Sequence, residues 1–259
     1  LDHVRAETGS SPALLGYCMG GNLALGLAAR RPNEVGPLAL LATPWDFHAG
    51  HGPARVALSA LRPGLETIIA SQGTLPVDVL QTLFNCLNPG LAGSKFRNIA
   101  TAGSTSRKFA DFVVLEDWLN DGVPLAGPVA KACLFDWYGI NTPGRGVWKI
   151  NGTNVDPTKL DQPALVIVPK DDYIVPPSSA RPLADALPNA TLQTVEAGHI
   201  GMVAGGRLPE AAEALRDGGD ASRSSAPQVN RPRPRPFRAW TTALAMAAST
   251  SIPCSGNCW

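Results

Sequence analysis

A cysteine, an aspartate and a histidine stand along this chain in the order nucleophile, acid, histidine. Cys18 lies in the run GYCMGG, Asp172 in DDYIVPP and His199 in AGHIGMV. A thiol beside an imidazole that a carboxylate orients can attack a carbonyl carbon and hold the acyl group covalently. The three residues therefore predict nucleophilic catalysis, provided that the fold brings them together.

The surroundings of Cys18 are typical of a nucleophile elbow. An apolar run at 13–15 precedes it, and a helical pattern that ends near Arg30 follows it. Gly16 and Gly20 flank the cysteine, and we expect a Cβ at either position to clash with the strand or the helix of a tight turn. By itself the run also fits a free cysteine that only packs in a core.

Asp172 and His199 each follow a predicted strand. The apolar run at 164–168 leads to Asp171 and Asp172, and the short strand at 191–195 leads to His199. Parallel strands present their carboxyl ends at one edge of a sheet, where open α/β sheets bind ligands. Asp171 competes for the acidic role, but we prefer Asp172 because the Ile-Val-Pro after it packs back into the sheet. The order of the triad is the one that α/β-hydrolases use.

The strands and helices predict an α/β fold with a large insertion. The uniformly apolar runs at 13–15, 37–42 and 164–168 predict parallel strands covered on both faces. About 120 residues separate the second run from the third, far more than an ordinary crossover requires. Helical patterns at 75–87, 109–119 and 129–138 predict a helical cap over the strand ends. Its Trp118, Trp137 and Trp148 line a substrate channel, or form the cap core or a subunit contact.

We divide the chain accordingly into three parts. Residues 1–46 and 160–206 form the core, 47–159 the cap, and 207–259 a largely disordered tail that is polar and rich in proline and arginine. The apolar stretch near the end of the tail is too short to span a membrane.

Composition narrows the classes of function. The net charge of +1 over 259 residues indicates neither a nucleic-acid partner nor a membrane surface. Five cysteines, close together only at Cys254 and Cys258, favour a reducing compartment, so a cytoplasmic protein is expected. His48 and His51 have the spacing of metal ligands, but no further ligand is evident and no metal is predicted.

Beyond these patterns, the chain resembles the class I poly(3-hydroxyalkanoate) synthases. The run GYCMGG alone is shared with dienelactone-type hydrolases. The long cap and the WLND and NGTNVDPTKLDQP segments are absent from those hydrolases. The matching runs are GYCMGGNLAL at 16–25, LLATPWDF at 40–47, LEDWLNDGVPL at 115–125, NGTNVDPTKLDQPAL at 151–165, DDYIVPP at 171–177 and AGHIGMV at 197–203.

The resemblance implies an α/β-hydrolase fold and transfer of the acyl group of a 3-hydroxyacyl-coenzyme A through a thiol to a growing polyester. By position, Cys18 is the nucleophile and His199 the base, while Asp172 orients His199 or assists the incoming hydroxyl. The N–H of Met19 is one donor to the oxyanion. No cofactor is implied, because the coenzyme A thioester is the substrate. A dimer at polymer granules in the cytoplasm is also implied.

Two alternatives to an active synthase are open. Family members carry several strands before the elbow, whereas about a dozen residues precede the first predicted strand here, so we expect a partial, N-terminally truncated fold. An inactive fragment that only binds a synthase partner chain is one alternative. A thioesterase or dienelactone-type hydrolase, based on the elbow alone, is the other.

Overall fold

A parallel four-stranded sheet is the centre of the computed structural model, which describes residues 1–50, 52–87 and 91–204. The strand order is β1 (Leu14–Tyr17), β2 (Leu38–Leu41), β7 (Ala164–Pro169) and β8 (Ala190–Val195), with each neighbouring pair parallel. Every residue of β2 and β7 is buried, as expected for central strands covered on both faces. The predicted α/β class, a parallel sheet flanked by helices, is confirmed.

The other regular elements of the described chain are helices and short strand pairs. The helices are α1 (Asp2–Thr8), α2 (Met19–Arg30), α3 (Gly52–Gln72), α4 (Val77–Leu87), α5 (Leu91–Ala100), α6 (Arg107–Asn120), α7 (Gly127–Lys131), α8 (Pro177–Ala186) and α9 (Gly201–Ala204), with a π-helix at Ala132–Gly139 and a 3₁₀ helix at Pro157–Lys159. The two-residue strands are β3 (Thr74–Leu75), β4 (Leu125–Ala126), β5 (Lys149–Ile150) and β6 (Thr153–Asn154).

The sheet separates two apolar clusters. On one face, α2 and α8 pack on the sheet through small and branched residues such as Leu25, Ala28 and Leu183. On the other face, a smaller cluster joins Leu41 and Ile167 to Met202 of α9. Burial on both faces holds the strand ends in register, and these ends carry the candidate site.

The helices between β2 and β7 have an apolar cluster of their own. Residues of α3, including Leu65 and Ile69, pack against Leu75, Leu134 and Phe135. The predicted helices at 75–87 and 109–119 are confirmed as α4 and α6, and the one at 129–138 is α7 continued by the π-helix. The domain boundaries at 46 and 160 stay predictions. The tail at 207–259 and His51 lie outside the described residues.

Asn141 fastens this insertion to the loop after β2. Its buried side chain accepts a hydrogen bond from Phe47 N at 3.0 Å and donates one to Asp46 Oδ1 at 2.8 Å. Asn141 has a φ of 56°, a left-handed conformation that asparagine tolerates better than most residues. The end of the π-helix is therefore held beside the strand that precedes the insertion.

The three tryptophans differ in burial. Trp137 and Trp148 are 5% and 7% exposed and meet edge to face, with ring centroids 5.1 Å apart. Trp118 is 62% exposed on α6. Trp137 and Trp148 thus belong to the main core, while Trp118 lies on the surface of the described chain.

Candidate active site

Cys18 occupies the turn between β1 and α2. Its φ of 54° and ψ of −129° are rarely adopted by a residue with a side chain, and such strain persists where the surroundings enforce it. Cys18 N donates to Leu41 O at 2.8 Å, which continues the pairing of β1 with β2 into the turn. The thiol is free and partly exposed, at the amino end of a 12-residue helix. A thiolate is stabilised at this end of a helix dipole.

Close packing around the turn depends on Gly16 and Gly21. A Cβ on Gly16 would lie 2.4 Å from Gly21 Cα, and one on Gly21 would lie 1.9 Å from Thr43 Oγ1. The clash predicted for Gly20 is wrong, because a Cβ there would meet nothing within 4 Å beyond its chain neighbours and its own helix. Both glycines lie in the first turn of α2, but only Gly21 is packed against another part of the chain, the side chain of Thr43.

Asp172 lies in the loop after β7 and is 4% exposed. Its Oδ1 accepts hydrogen bonds from Ile174 N at 2.9 Å and Val175 N at 2.8 Å. These bonds hold the carboxylate so that Oδ2 points to His199 Nδ1, 2.6 Å away. Asp171, the alternative acid, is exposed.

His199 follows β8 and is 8% exposed. An ionised carboxylate only accepts hydrogen bonds, so Nδ1 is the donor to Asp172 and Nε2 is left for the thiol side. Burial lowers the pKa of His199, but the hydrogen bonds and charges of Asp172 and Cys18 outweigh burial and raise that pKa to about 9. The structure therefore brings Cys18, Asp172 and His199 into one interacting group.

This raised pKa predicts a pH-dependent stability. His199 titrates at 6.5 in an ordinary environment and at about 9 in the folded chain. The folded state binds the proton of His199 more tightly than the unfolded state does. The stabilisation of the folded state that results is fully present below pH 6.5 and is lost as the pH rises through about 9. Its size is on the order of 3 kcal/mol. We expect the free energy of unfolding, measured in urea, to fall by such an amount between about pH 6 and about pH 10.

The variant Asp172→Asn should weaken that pH dependence, because an amide does not favour the imidazolium as a carboxylate does. The matched control is Asp171→Asn, which alters the exposed neighbour. Equal pH dependence in the two variants would contradict the assignment of the effect to the Asp172–His199 pair.

Met19 is the first residue of α2. Its N–H belongs to the first helical turn, where backbone donors have no acceptor within the helix. A donor there, next to the candidate nucleophile Cys18, is suited to an oxyanion on an attacked carbonyl. Gly16, Met19 and Gly20 thus all lie at the turn that holds Cys18, although Gly20 is not sterically required.

The other described cysteines differ from Cys18 in environment. Burial, with a smaller effect of the Asp136 charge, raises the pKa of Cys133 to about 11, so its thiol stays protonated near neutral pH. Cys86 is exposed on α4. Neither has an Asp–His pair beside it among the contacts of the described residues.

Sequence reasoning missed two tyrosines near the triad. Tyr17, beside Cys18 in sequence, contacts His199, and Tyr138 of the π-helix packs on Phe47 with ring centroids 4.9 Å apart. Burial raises the pKa of both phenols, and the charges of Cys18 and Asp172 act in the same direction. The position of Tyr17 next to Cys18 in the sequence was the available signal. The i to i+5 winding that places Tyr138 has no sequence pattern that distinguishes it from an α-helix.

Within residues 1–50, 52–87 and 91–204, no three His, Cys, Asp or Glu side chains are grouped so as to hold a metal ion. None of the helices in that part of the chain has the length and apolar character needed to span a bilayer.

Comparison with known families agrees with this geometry. The family model described as the alpha/beta hydrolase fold matches residues 1–205. The chain belongs to the alpha/beta hydrolase fold family. Within this family, a strand, a tight turn with the nucleophile and a helix, followed by an acid and a histidine after later strands, is the usual arrangement.

The chain is also similar to the poly(3-hydroxyalkanoate) polymerase subunit PhaC of several organisms. It is 29% identical to that of Haloferax mediterranei over 206 residues, covering 78% of this chain and 42% of the relative. It is 30% identical to that of Thiocystis violacea over 199 residues, covering 75% of this chain and 55% of the relative. The predicted resemblance is confirmed, and the chain spans about half the length of these curated relatives.

Solved structures also match the chain. The monoacylglycerol lipase of Paleococcus ferrophilus matches 95% of this chain and 72% of its own, at 15% identity and a TM-score of 0.49. The Rv0554 protein of Mycobacterium tuberculosis matches 85% of this chain and 69% of its own, at 21% identity and a TM-score of 0.48.

Proposed function

We propose that this chain catalyses acyl transfer from a 3-hydroxyacyl-coenzyme A to the hydroxyl end of a polyester, through an acyl group held on Cys18. The observation that carries the proposal is the interacting group of Cys18, Asp172 and His199 at the carboxyl edge of the sheet. Similarity to PhaC polymerase subunits supports the choice of substrate.

The first half-reaction uses the free nitrogen of His199. Transfer of the Cys18 Sγ proton to Nε2 gives the thiolate–imidazolium pair, and the thiolate attacks the carbonyl carbon of the thioester. The N–H of Met19 donates to the oxyanion of the tetrahedral intermediate. As the intermediate collapses, the C–S bond to coenzyme A breaks, and the imidazolium returns its proton to the leaving thiolate. The product is coenzyme A and an acyl-cysteine.

The second half-reaction repeats the proton transfer with a different nucleophile. His199 Nε2 accepts the proton of the chain-end hydroxyl, whose oxygen attacks the acyl-cysteine carbonyl. The C–S bond to Cys18 breaks, the new ester bond remains, and the proton passes to Cys18 Sγ. Asp172 holds the imidazole in the required tautomer and stabilises its charged form throughout.

A cysteine suits this exchange better than a serine. The bond broken in the substrate and the bond formed on Cys18 are both thioesters, so the first step is nearly isoenergetic. The acyl-cysteine therefore keeps its reactivity toward an alcohol.

Incubation of the purified chain with 3-hydroxybutyryl-coenzyme A tests the proposal. We expect release of coenzyme A, an acyl adduct on Cys18 in peptide mass spectra, and polyester as the product. Free 3-hydroxybutyrate in place of polymer would assign a thioesterase instead. Absence of both coenzyme A release and an adduct would contradict acyl-transfer activity and favour a chain that acts only by binding a synthase partner.

A further inference from the structure

Tyr17 makes two contacts with His199, although 182 positions separate them in sequence. Its Oη donates a hydrogen bond to the main-chain oxygen of His199 at 3.0 Å. Its ring also lies against the imidazole, with centroids 4.9 Å apart and the two planes inclined by 34°. One side chain thus contacts both the backbone and the ring of the histidine.

The order of the strands explains why the loop that carries His199 needs such contacts. Cys18 follows β1 and His199 follows β8, the first and last strands of the four-stranded sheet. At the usual spacing of strands, the ends of β1 and β8 are roughly 14 Å apart. The loop that carries His199 must therefore turn back across the edge of the sheet to reach the thiol.

Backbone hydrogen bonds fix only part of that loop. Asp171 N donates to Ala197 O at 3.0 Å, which ties the start of the loop to β7. Beyond Ala197, Gly198 O accepts a hydrogen bond from Met202 N at 3.1 Å, while His199 itself is held at ring Nδ1 by Asp172 and at its carbonyl by Tyr17. Because Tyr17 directly precedes Cys18, the bond from Tyr17 joins the loop to the nucleophile's own strand.

We propose that Tyr17 is a positioning residue that sets the imidazole of His199 at the distance and angle from Cys18 that proton transfer requires. This inference rests on the Cys18–His199 chemistry of the proposed function, but not on the identity of the substrate. The phenol is suited to the role because burial, with the charges of Cys18 and Asp172, raises its pKa and keeps it a donor.

Alkylation of Cys18 tests this without any acyl substrate. The groups that face His199 are the Cys18 thiol from the elbow, the Asp172 carboxylate from the loop after β7 and the Tyr17 phenol from β1. A thiolate paired with imidazolium reacts with iodoacetamide at acidic pH, where an isolated thiol is largely protonated. At strongly alkaline pH, accessible thiols in general react as thiolates, whether or not an imidazole lies beside them.

The measurement is the ratio of the acidic to the alkaline alkylation rate, followed at Cys18 by peptide mass spectrometry in wild type and Tyr17→Phe. The variant keeps the ring and removes the hydroxyl. We expect the ratio to fall by about 3- to 10-fold, the range set by one lost hydrogen bond. A change in the accessibility of Cys18 alone would alter both rates together and leave the ratio unchanged.

Tyr173→Phe is the matched control, because Tyr173 is 67% exposed and its phenol contacts no group of the triad among the described contacts. Its ratio should equal that of wild type. For coenzyme A release, Tyr17→Phe should lower kcat by a similar factor and leave KM unchanged.

Each result decides the question. A ratio in Tyr17→Phe within twofold of wild type would overturn the positioning role. So would a wild-type ratio that does not respond to His199→Ala, since the thiol would then have no imidazole partner to position. If the ratio falls as expected while no coenzyme A is released from the acyl substrate, the role of Tyr17 stands and the proposed function fails.

Discussion

Replacement of Cys18 by alanine is expected to lower coenzyme A release from 3-hydroxybutyryl-coenzyme A by about 10⁴-fold or more. Removal of the nucleophile from a triad leaves only substrate binding and oxyanion stabilisation, which account for a small part of the rate. The variant should fold, because alanine keeps the Cβ of Cys18 and loses only a partly exposed sulfur. The measurement is the initial rate of thiol release, together with a mass spectrum of the acylated chain.

The matched control for this experiment is Cys86→Ala. Cys86 is a free and exposed cysteine on α4, outside the triad, so its loss should leave the rate and the adduct unchanged. Retention of more than about 1% of the wild-type rate in Cys18→Ala would contradict covalent catalysis by this thiol. Loss of the acyl adduct in Cys86→Ala would indicate that Cys86, and not Cys18, is the nucleophile.

The second large effect is expected at Gly16. A Cβ in Gly16→Ala would lie 2.4 Å from Gly21 Cα and 2.6 Å from Gly20 O, and backbone atoms cannot swing away as a flexible side chain can. Separating β1 from α2 should cost about 3 kcal/mol or more of the free energy of unfolding. In a chain of this length, that corresponds to a melting temperature lower by roughly 6–12 °C.

The same separation would displace Cys18, which lies between the two elements. A shift of about 1 Å in a reacting group costs roughly 100-fold in rate, so coenzyme A release should fall by at least that factor. Thermal unfolding followed by circular dichroism, alongside the rate of thiol release, checks both expectations.

Gly20→Ala is the control for stability, since its added Cβ meets nothing within 4 Å outside its neighbours and its own helix. Alanine also favours a helical backbone over glycine, so the melting temperature should stay level or rise slightly. Equal destabilisation by Gly16→Ala and Gly20→Ala would show that the contacts of Gly16 with α2 do not account for the effect.

Several parts of the fold could be predicted because their signals are local. Every residue of β2 and β7 is buried, and a continuous apolar run of this kind can be recognised in the sequence without knowing which strands lie beside it. The apolar residues of α4 and α6 recur at helical spacing, which is also a local pattern that the sequence shows. By contrast, α3 (Gly52–Gln72) went unassigned because Pro63 and Gly64, inside its sequence, are typical of a turn. Packing of its apolar face overrides that local preference.

By itself, the sequence determined the chemical types and the order of the candidate site. Glycine spacing indicated the turn at Cys18, and the strand before each residue indicated that Asp172 and His199 would reach the same edge of a sheet. These inferences depend on residues close to one another in the chain, where backbone geometry limits the alternatives.

Only the tertiary structure decided how closely these groups meet and what holds them. It distinguishes Gly21, which is packed against Thr43, from Gly20, which is not. It also joins Tyr17 to His199 across 182 positions. Contacts of this kind arise from the register of strands and the path of loops over the whole sheet, and sub-ångström differences there decide whether a side chain clashes, donates a hydrogen bond or lies free.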